Sequence, residues 1–509
     1  MGVEQRSSKT LQALWLVAGN LCSLLFGLGS MAVLGRYLTT EQYGTYRQVL
    51  YVYQTLLILF SLGMPRAYSY FLVRMPVEEG RSFVAKMRRM FLGLGAGFAV
   101  LLYAGAGGVA QVLENPALAP ALRIFAPTPL LLMPVLGIES LLVALDRARL
   151  NALYVLFNRL TTAVGVLLPV VARDMGVEGA VGGFVAAGLV NFAVGSWVER
   201  LPFRRAARRP TRVSVREILA FSFPLFTAGL WGFVILSVSP FFVGRYLGAE
   251  AFAQYANGYV ELPVAAWIVG ATSTVLLPLF SRMQHDGRSG LEIVGVWRGV
   301  IVKSAKIIYP LSLFCCFFAL PIVELVYGAE YRDAALFLQI ITPVNLLRVV
   351  PYAPVLFALG RGRDFSRAHC ATALLLVAGE ALCVRWFPAT AAIAAVQTLC
   401  TAGCLVALMV ALRRAVAVGW RQLLPAAALS KLLLLSSVAS GASRLAVGSV
   451  GSWNGLAGAF LLAAALYAVL CALCGVGYAD LLQPLLGSEG ALSRCGGVVG
   501  RAVSRVMNK

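Results

Sequence analysis

The sequence predicts an all-α integral membrane protein of about 14 transmembrane helices, built as two parallel-repeat six-helix lobes followed by two C-terminal helices. Three observations lead to this prediction: an apolar composition, a regular series of long apolar runs, and a motif that occurs twice. Of the 509 residues, 60% are hydrophobic and only 13% are charged. Soluble domains carry about 25% charged residues, so the composition favours a lipid bilayer.

Fourteen runs are long and apolar enough to cross a bilayer, which takes about 20 helical residues. They cover residues 10–35, 44–65, 90–112, 118–145, 152–172, 178–198, 217–244, 252–280, 305–327, 334–359, 369–387, 389–412, 423–444 and 454–478. The first run is too long for the apolar segment of a secretory signal, and no clear small-residue cleavage site follows it. We therefore interpret it as span 1.

The positive charges predict which side of the membrane each loop faces. The net charge is +21, which in a soluble protein would suggest a nucleic-acid partner. Here the basic residues form short clusters between apolar runs, with 25 in the even-numbered loops and six in the odd-numbered ones. Cytoplasmic loops are enriched in Lys and Arg. The pattern therefore predicts cytoplasmic even loops and termini, and it argues against nucleic acid.

The most basic loop, residues 199–216, is interpreted as a cytoplasmic linker between two lobes. The predicted organisation is an N-lobe with spans 1–6 (1–198), this linker, a C-lobe with spans 7–12 (217–412), spans 13–14 (413–478) and a basic cytoplasmic tail (479–509). The tail is expected either to lie on anionic lipid or to be a frayed terminus. No loop between the predicted spans exceeds about 24 residues, which leaves no room for a soluble catalytic domain.

A polar motif of twelve residues occurs twice, at a constant offset of 209 residues. GRYLTTEQYGTY (Gly35–Tyr46) follows span 1, and GRYLGAEAFAQY (Gly244–Tyr255) follows span 7. Because each lobe has an even number of spans, both copies have the same orientation, which predicts a parallel repeat. We expect a structural role for the motif, with direct substrate contact as the alternative.

Each shared position of the motif has a local physical reason. Glycines can end a helix, tyrosines suit the membrane interface, and a carboxylate stabilises the start of the next helix. These roles are assigned in turn to Gly35 and Gly244, to Tyr37 and Tyr246, and to Glu41 and Glu250. The other motif residues are Arg36, Gly44, Tyr46, Arg245 and Tyr255.

The motif G-R-Y-L-x-x-E-x-Y-G-x-Y resembles the opening signature of Wzx-type polysaccharide transporters, which flip lipid-linked oligosaccharides. That family forms a branch of the multidrug/oligosaccharidyl-lipid/polysaccharide exporter (MOP) superfamily. LPLFSRM (Leu277–Met283) and VYGAEYRDAALFLQI (Val326–Ile340) resemble the family's exit from span 8 and its outer loop between spans 9 and 10. The second motif copy departs from the pattern at Phe252 and Ala253, where Tyr-Gly is expected.

The resemblance implies a transporter with alternating access, no enzymatic reaction and no cofactor. It implies an undecaprenyl-diphosphate-linked oligosaccharide as substrate, with membrane lipid and H⁺ or Na⁺ as further partners and contact with polysaccharide polymerase machinery. It also implies the bacterial inner membrane as location, and it leaves the O-antigen, capsule and exopolysaccharide pathways open.

Candidate substrate residues are cationic or polar positions inside apolar runs, where a charge costs about 2.5–3.5 kcal/mol and needs a reason. Arg348 lies in the middle of span 10, next to Asn345, in a segment that prolines interrupt. It is expected either to bind an anionic head group or to pair with Glu380 or Glu261. Arg47 and Arg66 in span 2, and the polar stripe with Gln12 and Ser23 in span 1, complete the set. The stripe lines either a cavity or a close helix contact.

Glu261 in span 8 and Glu380 in span 11 are the candidates for ion coupling. A metal site is not expected, because the only two histidines, His285 and His369, lie in predicted loops and the cysteines lie mostly in apolar runs. Two rival functions remain open. A MATE-like drug/cation antiporter would share the fold but favour acidic residues over arginines, and a membrane glycosyltransferase would need larger outer loops.

Overall fold

The computed structural model describes residues 9–204, 206–207, 209–349 and 351–477. The side chains of residues 9–22 and of positions 224, 225, 228, 271, 274, 275 and 278 are not described. The predicted tail (479–509) and the side chain of Gln12 therefore lie outside the described residues.

All regular structure in the described part of the chain is helical. Up to the end of the linker, the α-helices are α1 (Lys9–Tyr37), α2 (Thr40–Ser61), α3 (Pro65–Phe71), α4 (Val77–Val112), α5 (Leu118–Phe125), α6 (Thr128–Leu132), α7 (Ile138–Ala144), α8 (Ala148–Arg173) and α9 (Gly176–Arg200). Single 3₁₀ turns follow α3, α6 and α9, at Leu72–Arg74, Met133–Val135 and Leu201–Phe203.

The second part of the chain continues with thirteen α-helices and a 3₁₀ turn at Ala329–Tyr331. The helices are α10 (Val215–Tyr246), α11 (Gly248–Gly258), α12 (Pro263–His285), α13 (Gly290–Phe317), α14 (Ala319–Tyr327), α15 (Ala334–Ile340), α16 (Thr342–Leu347), α17 (Tyr352–Ala358), α18 (Gly362–Trp386), α19 (Thr390–Val416), α20 (Trp420–Leu423), α21 (Ala426–Val447) and α22 (Trp453–Leu473).

The all-helical membrane class is confirmed. Within the described residues, 12 helical segments are long and apolar enough to cross a membrane, and each overlaps one of the fourteen predicted spans. Their bounds differ from the predicted ones in places: the segment Gly290–Phe317 begins 15 residues before predicted span 9 (305–327) begins and ends ten residues before that span ends. The other two predicted spans, 10–35 and 252–280, overlap α1 and the α11–α12 segment, where some side chains are not described. The count of fourteen stays a prediction.

The interpretation of residues 252–280 as one continuous span is wrong. Helix α11 ends at Gly258 and α12 begins at Pro263, so residues 259–262 form a break. Proline disfavours the helical region for the residue before it, and Leu262 has an extended conformation with φ −65° and ψ 118°. Pro263 itself occupies the first turn of α12, where its missing N–H is not needed.

Three of the long helices, α2, α10 and α13, begin with a reciprocal capping box. At the start of α2, the Thr39 hydroxyl accepts from the Gln42 N–H while the Gln42 side chain accepts from the Thr39 N–H, both at 3.2 Å. Ser214 and Glu217 form the same arrangement before α10, as do Ser289 and Glu292 before α13. Such caps satisfy backbone donors that the first turn leaves open and fix where each helix starts.

The chain forms two compact units, each assembled from separate stretches of sequence. Unit 1 comprises Met1–Val260, Val323–Ile340 and Ser366–Thr401, as far as these are described. Its core includes buried residues of α10, α11, α18 and α19, such as Val243, Tyr255, Leu376 and Ile393. The two-lobe boundaries predicted from the repeat stay a prediction.

Unit 2 comprises Glu261–Ile322, Ile341–Phe365 and Ala402–Lys509, within the same limits. Helix α13 packs on α21, α21 packs on α22, and Phe314 and Phe318 meet Ala459 and Ala463 in one buried cluster. Leu445 and Leu473, at the ends of α21 and α22, are 86% and 78% exposed. Such apolar exposure is costly in water and suits a lipid-facing surface.

Candidate functional site

An ion pair in unit 2 joins two interrupted helices. Glu261 lies in the break before α12, and Arg348 lies in the break between α16 and α17. The Arg348 guanidinium donates to the Glu261 carboxylate, and the two side chains are 33% and 36% exposed. Of the two carboxylates that the sequence left open as partners of Arg348, the structure pairs it with Glu261.

A second contact ties the same two breaks together. The Asn345 side-chain oxygen accepts from the Leu262 N–H at 3.4 Å, and Asn345 is 3% exposed. The interrupted backbone around Arg348 follows from the prolines: Pro343 lies in the first turn of α16, and Pro351 precedes α17. Non-helical backbone at membrane depth is tolerated where protein or a polar cavity satisfies it. Arg348, Asn345 and Glu261 therefore form one candidate site.

Glu380 lies in unit 1, within a separate polar cluster of α10, α18 and α19. Its side chain is completely buried, and one carboxyl oxygen contacts the Ser239 hydroxyl. The same hydroxyl lies 2.5 Å from the side-chain oxygen of Gln397, whose NH₂ group donates to the Ile235 carbonyl at 3.0 Å. The other Glu380 oxygen has no hydrogen-bond partner among the described residues.

A proton on Glu380 would supply the donor that the contacts of Ser239 with Glu380 and Gln397 lack. A serine hydroxyl has a single hydrogen and cannot donate to both the Glu380 and the Gln397 oxygens. Reversing the Gln397 amide would set its oxygen against the Ile235 carbonyl, so the amide cannot supply the missing donor. A neutral Glu380 that donates to Ser239, which then donates to Gln397, gives each of these two contacts one donor and one acceptor. It also avoids leaving a bare carboxylate oxygen in an apolar site.

Arg47 is bound by protein groups in unit 1. Its guanidinium donates to the Ala256 carbonyl at 2.9 Å and lies 3.3 Å from the Met31 sulfur. Ala256 is the residue at the repeat position of Arg47, 209 residues on. Carbonyls of a last helical turn lack intrahelical partners, and Arg47 satisfies one at the end of α11. Arg47 therefore links the two motif-bearing helices in this state.

The duplicated motif brings α2 and α11 into close contact. A Cβ atom on Gly44 would lie 1.9 Å from the Ala249 carbonyl oxygen, so only glycine fits at this crossing. The expectation that Gly35 and Gly244 end their helices is wrong, because α1 continues to Tyr37 and α10 to Tyr246. Both are contact positions instead. A Cβ on Gly35 would lie 3.2 Å from the Tyr327 carbonyl oxygen, and one on Gly244 would lie 3.2 Å from the Gln48 side chain.

The remaining motif residues differ in exposure and in their partners. Tyr37 and Tyr246 are about half exposed, at 52% and 51%. Glu41 and Glu250 occupy the first turns of α2 and α11. Tyr46 and Tyr255 are buried, Arg36 donates to the Leu325 carbonyl at 2.7 Å, and Arg245 pairs with Glu114.

Among the remaining predicted substrate residues with a described side chain, neither Arg66 nor Ser23 forms a hydrogen bond or an ion pair with a residue of either site. Arg66 follows a left-handed turn at Leu62 and Gly63 (φ 49° and 69°) and is exposed in the first turn of α3. Ser23 is half-buried on α1, and the side chain of Gln12 is not described. Within the described residues, no group of three or more His, Cys, Asp or Glu side chains could hold a metal ion.

Sequence reasoning missed Gln397 and the role of Ser239, which complete the surroundings of Glu380. A signal was present for each. Ser239 lies at the 209-residue offset from Ser30, and Gln397 is a polar residue inside one of the most apolar spans, with a mean hydropathy of 2.1. It also missed that Asn257 accepts a 2.9 Å hydrogen bond from the Tyr43 hydroxyl, which ties α2 to α11.

The fold is that of a known class of membrane transporters. The lipid II flippase MurJ in an inward closed conformation is similar, with a TM-score of 0.68 and 15% identity over 92% of this chain and 100% of that one. An inward-facing multidrug resistance MATE family transporter of the MOP superfamily has a TM-score of 0.60 and 13% identity over 82% and 96%. A MOP superfamily transporter from Pyrococcus furiosus has a TM-score of 0.56 and 14% identity over 82% and 94%.

Within this class, the sequence itself identifies the family. Residues 11–284 match the family described as "Polysaccharide biosynthesis protein", which is more than half of the 509 residues. No curated protein matches the chain significantly. The chain belongs to the polysaccharide biosynthesis protein family, and its fold is similar to the folds of these transporters.

Proposed function

We propose that this protein flips undecaprenyl-diphosphate-linked oligosaccharide repeat units from the cytoplasmic to the periplasmic leaflet of the bacterial inner membrane, by alternating access coupled to an ion. Membership of the polysaccharide biosynthesis family supports a transporter of polysaccharide precursors. The similarity to a lipid II flippase supports a fold suited to a lipid-linked substrate. Membrane lipid and polysaccharide polymerase machinery complete the proposed partners.

The Arg348–Glu261 pair is the observation that carries this proposal. A guanidinium offers a planar fork of donors that matches phosphate oxygens and stays charged when partly dehydrated. Both side chains are about one-third exposed, so a ligand can reach them. In this proposal the diphosphate replaces Glu261 as the partner of Arg348, and Asn345 keeps the two helix breaks in register while the exchange occurs.

Ion coupling is assigned to the two carboxylates. When the diphosphate takes Arg348, Glu261 loses its cation, and binding of a proton or Na⁺ compensates that loss. Glu380 is proposed as a proton carrier, since a proton on its buried carboxyl would supply the donor for its contact with Ser239, which in turn donates to Gln397. Its release of the proton would leave a buried charge without a cation in the cluster, which favours a rearrangement of α10, α18 and α19.

The contact between α2 and α11 is proposed as the part of the periplasmic gate that lies within unit 1. The charge distribution predicts that the two motif copies lie at the periplasmic ends of their spans. Gly44 and Ala249 let the helices touch there, and the Arg47 and Tyr43 hydrogen bonds hold them. Opening toward the periplasm would break these contacts, and Arg47 would then be available to an anionic head group.

Deletion of the gene for this protein in its native host tests the proposed function. The expected result is loss of surface polysaccharide together with accumulation of lipid-linked repeat units that face the cytoplasm. Complementation with the wild-type chain should restore display, and complementation with Arg348→Ala should not, at equal membrane abundance. Normal polysaccharide in the deletion strain, without a second transporter of the same family, would contradict the proposal.

A MATE-like drug/cation antiporter is the second candidate, favoured by the buried carboxylate of Glu380 and by the fold similarity to MATE transporters. An antiporter of this kind should protect cells against cationic drugs and leave the polysaccharide intact. The deletion strain therefore separates the two functions. Increased drug sensitivity with normal polysaccharide indicates the antiporter. Loss of polysaccharide with unchanged drug sensitivity indicates the flippase.

A further inference from the structure

A cavity of about 410 Å³ lies in unit 1, at the start of α4 and the end of α9, and neither Glu261 nor Glu380 is among its lining residues. Four arginines line it: Arg81 and Arg88 from α4, and Arg200 and Arg204 from the end of α9 and the turn that follows. The only acidic residue among its described lining residues is Glu199. The lining therefore carries a formal charge of about +3, which is the difference between four guanidinium groups and one carboxylate.

The internal ion pair does not neutralise this cavity. Glu199 is 2% exposed, and its contact with Arg88 is 3.5 Å long, whereas charge-assisted hydrogen bonds measure about 2.7–2.9 Å. Arg200 and Arg204 are exposed at the cavity rim. Four cations around one concavity repel one another unless an anion joins them, and the excess of charge therefore points to an anionic ligand.

The walls and the location indicate what kind of anion fits. Val84 and Phe203 line the same cavity and are 5% and 3% exposed, which gives it an apolar wall beside the arginines. Trp197, one turn earlier on α9, is 58% exposed and suits the membrane interface. The volume lies within the range of about 300–1,000 Å³ typical of small-molecule sites.

The segment after α9 closes over the start of α4 next to this cavity. Arg81 donates to the Ala206 carbonyl at 2.8 Å, and the Arg212 N–H donates to the Glu79 carboxylate at 2.8 Å. Gly80 permits the approach, because a Cβ there would lie 3.2 Å from the Phe203 ring. An anion held by Arg81 and Arg204 would therefore also hold the linker against α4.

We propose that this arginine-lined cavity binds the phosphoryl head group of an anionic membrane lipid, and that the bound lipid stabilises the docking of the linker on α4. The proposal does not depend on the flipping activity. The shared chemistry is a phosphoryl anion, which a lipid head group or free phosphate can supply.

The test measures the unfolding midpoint of the purified full chain in neutral detergent. The probes are dihexanoylphosphatidylglycerol, dihexanoylphosphatidylcholine and inorganic phosphate. We expect phosphatidylglycerol to raise the midpoint in a saturable way and phosphatidylcholine to leave it unchanged. Arg204→Ala should raise the phosphatidylglycerol concentration that gives half of the maximal midpoint shift at least tenfold, which is roughly the effect of losing one charged hydrogen bond. Arg204→Lys should raise this concentration less, because the positive charge remains.

Arg89→Ala is the matched control. Arg89 is exposed on α4, next to the cavity residue Arg88, and is not among the residues that line the cavity. The Arg89→Ala variant should respond to phosphatidylglycerol as the wild-type chain does. A saturable response to inorganic phosphate that Arg204→Ala also weakens would support the site and assign the anion to soluble phosphate. Three results would overturn the proposal. They are an equal loss of the phosphatidylglycerol effect in Arg204→Ala and Arg89→Ala, equal midpoint shifts with the two lipids, and no midpoint shift with any probe.

Discussion

Removal of the Arg348 side chain separates its proposed role in substrate binding from its role in folding. Arg348→Ala deletes the cation that contacts Glu261 and leaves that carboxylate in a helix break without its partner. Two losses follow from one change. The folded state becomes less stable because a partly buried charge is stranded, and transport falls because the diphosphate loses its bidentate donor.

The sizes of both losses follow from the exposure of the pair. Breaking a fully buried ion pair costs about 3–5 kcal/mol, and exposed pairs contribute about 0–1 kcal/mol. With the two side chains 33% and 36% exposed, we expect an intermediate destabilisation of about 1–2 kcal/mol. Hydrogen bonds to charged groups contribute about 1.5–3 kcal/mol, so transport should fall by about ten- to a hundredfold.

The assay pairs complementation of polysaccharide display with membrane abundance and with the unfolding midpoint of the purified variants. Arg348→Lys should recover part of the transport, because a point charge replaces a bidentate donor. The double variant Arg348→Ala/Glu261→Gln should recover stability without recovering transport. Arg288→Ala is the control, since Arg288 forms an exposed 3.4 Å pair with Glu292 in the same unit and should affect neither measurement.

Two results would refute this reasoning. Full transport by Arg348→Ala at normal abundance would show that neither the ion pair nor phosphate binding matters. Full transport by the double variant would show that Arg348 acts only by neutralising Glu261, and the proposed contact with the substrate would then be rejected.

Three further predictions concern other parts of the molecule. Glu380→Gln should fold with wild-type stability, because the amide still donates to the buried hydroxyl, but transport in vesicles should no longer respond to an imposed pH gradient; a response of wild-type size would exclude Glu380 as the proton carrier. Gly44→Ala should cost about 1–3 kcal/mol by overpacking against Ala249, whereas Gly93→Ala, where a Cβ would meet nothing within 4 Å, should be tolerated; equal unfolding midpoints would refute the close contact. A single cysteine in the 199–216 linker of a Cys-less variant should react only with reagents that reach the cytoplasm, and labelling by an impermeant external reagent would reverse the predicted topology.

Hydropathy predicted most helices for a physical reason. A membrane span must hydrogen-bond its own backbone and present an apolar surface over about 20 consecutive residues, and such a run is visible in the sequence. Hydropathy failed at residues 259–262, where four non-helical residues lie inside one apolar run. Pro263 was a local signal for that break. Whether a proline kinks a membrane helix or ends it depends on neighbouring helices, and these are not visible in a local pattern.

The candidate sites were predictable as residue types but not as pairs. A charge inside an apolar run needs a partner, so Arg348, Glu261 and Glu380 stand out in the sequence. The choice between Glu261 and Glu380 as the partner of Arg348 depends on which helices pack together, which the sequence leaves open. Gly35 and Gly244 show the same limit, since a glycine at a close crossing and a glycine at a helix end have the same sequence signature.

Reconstitution of the purified protein tests the central claim most directly. Proteoliposomes would carry a fluorescent polyprenyl-diphosphate-linked oligosaccharide in both leaflets, and a membrane-impermeant reductant would quench the outer one. We predict that the wild-type protein exposes the inner-leaflet fraction to the reductant, and that Arg348→Ala, reconstituted at equal density, does so at least tenfold more slowly. Protection of the inner leaflet in wild-type proteoliposomes to the same extent as in protein-free liposomes would contradict the proposed flippase function.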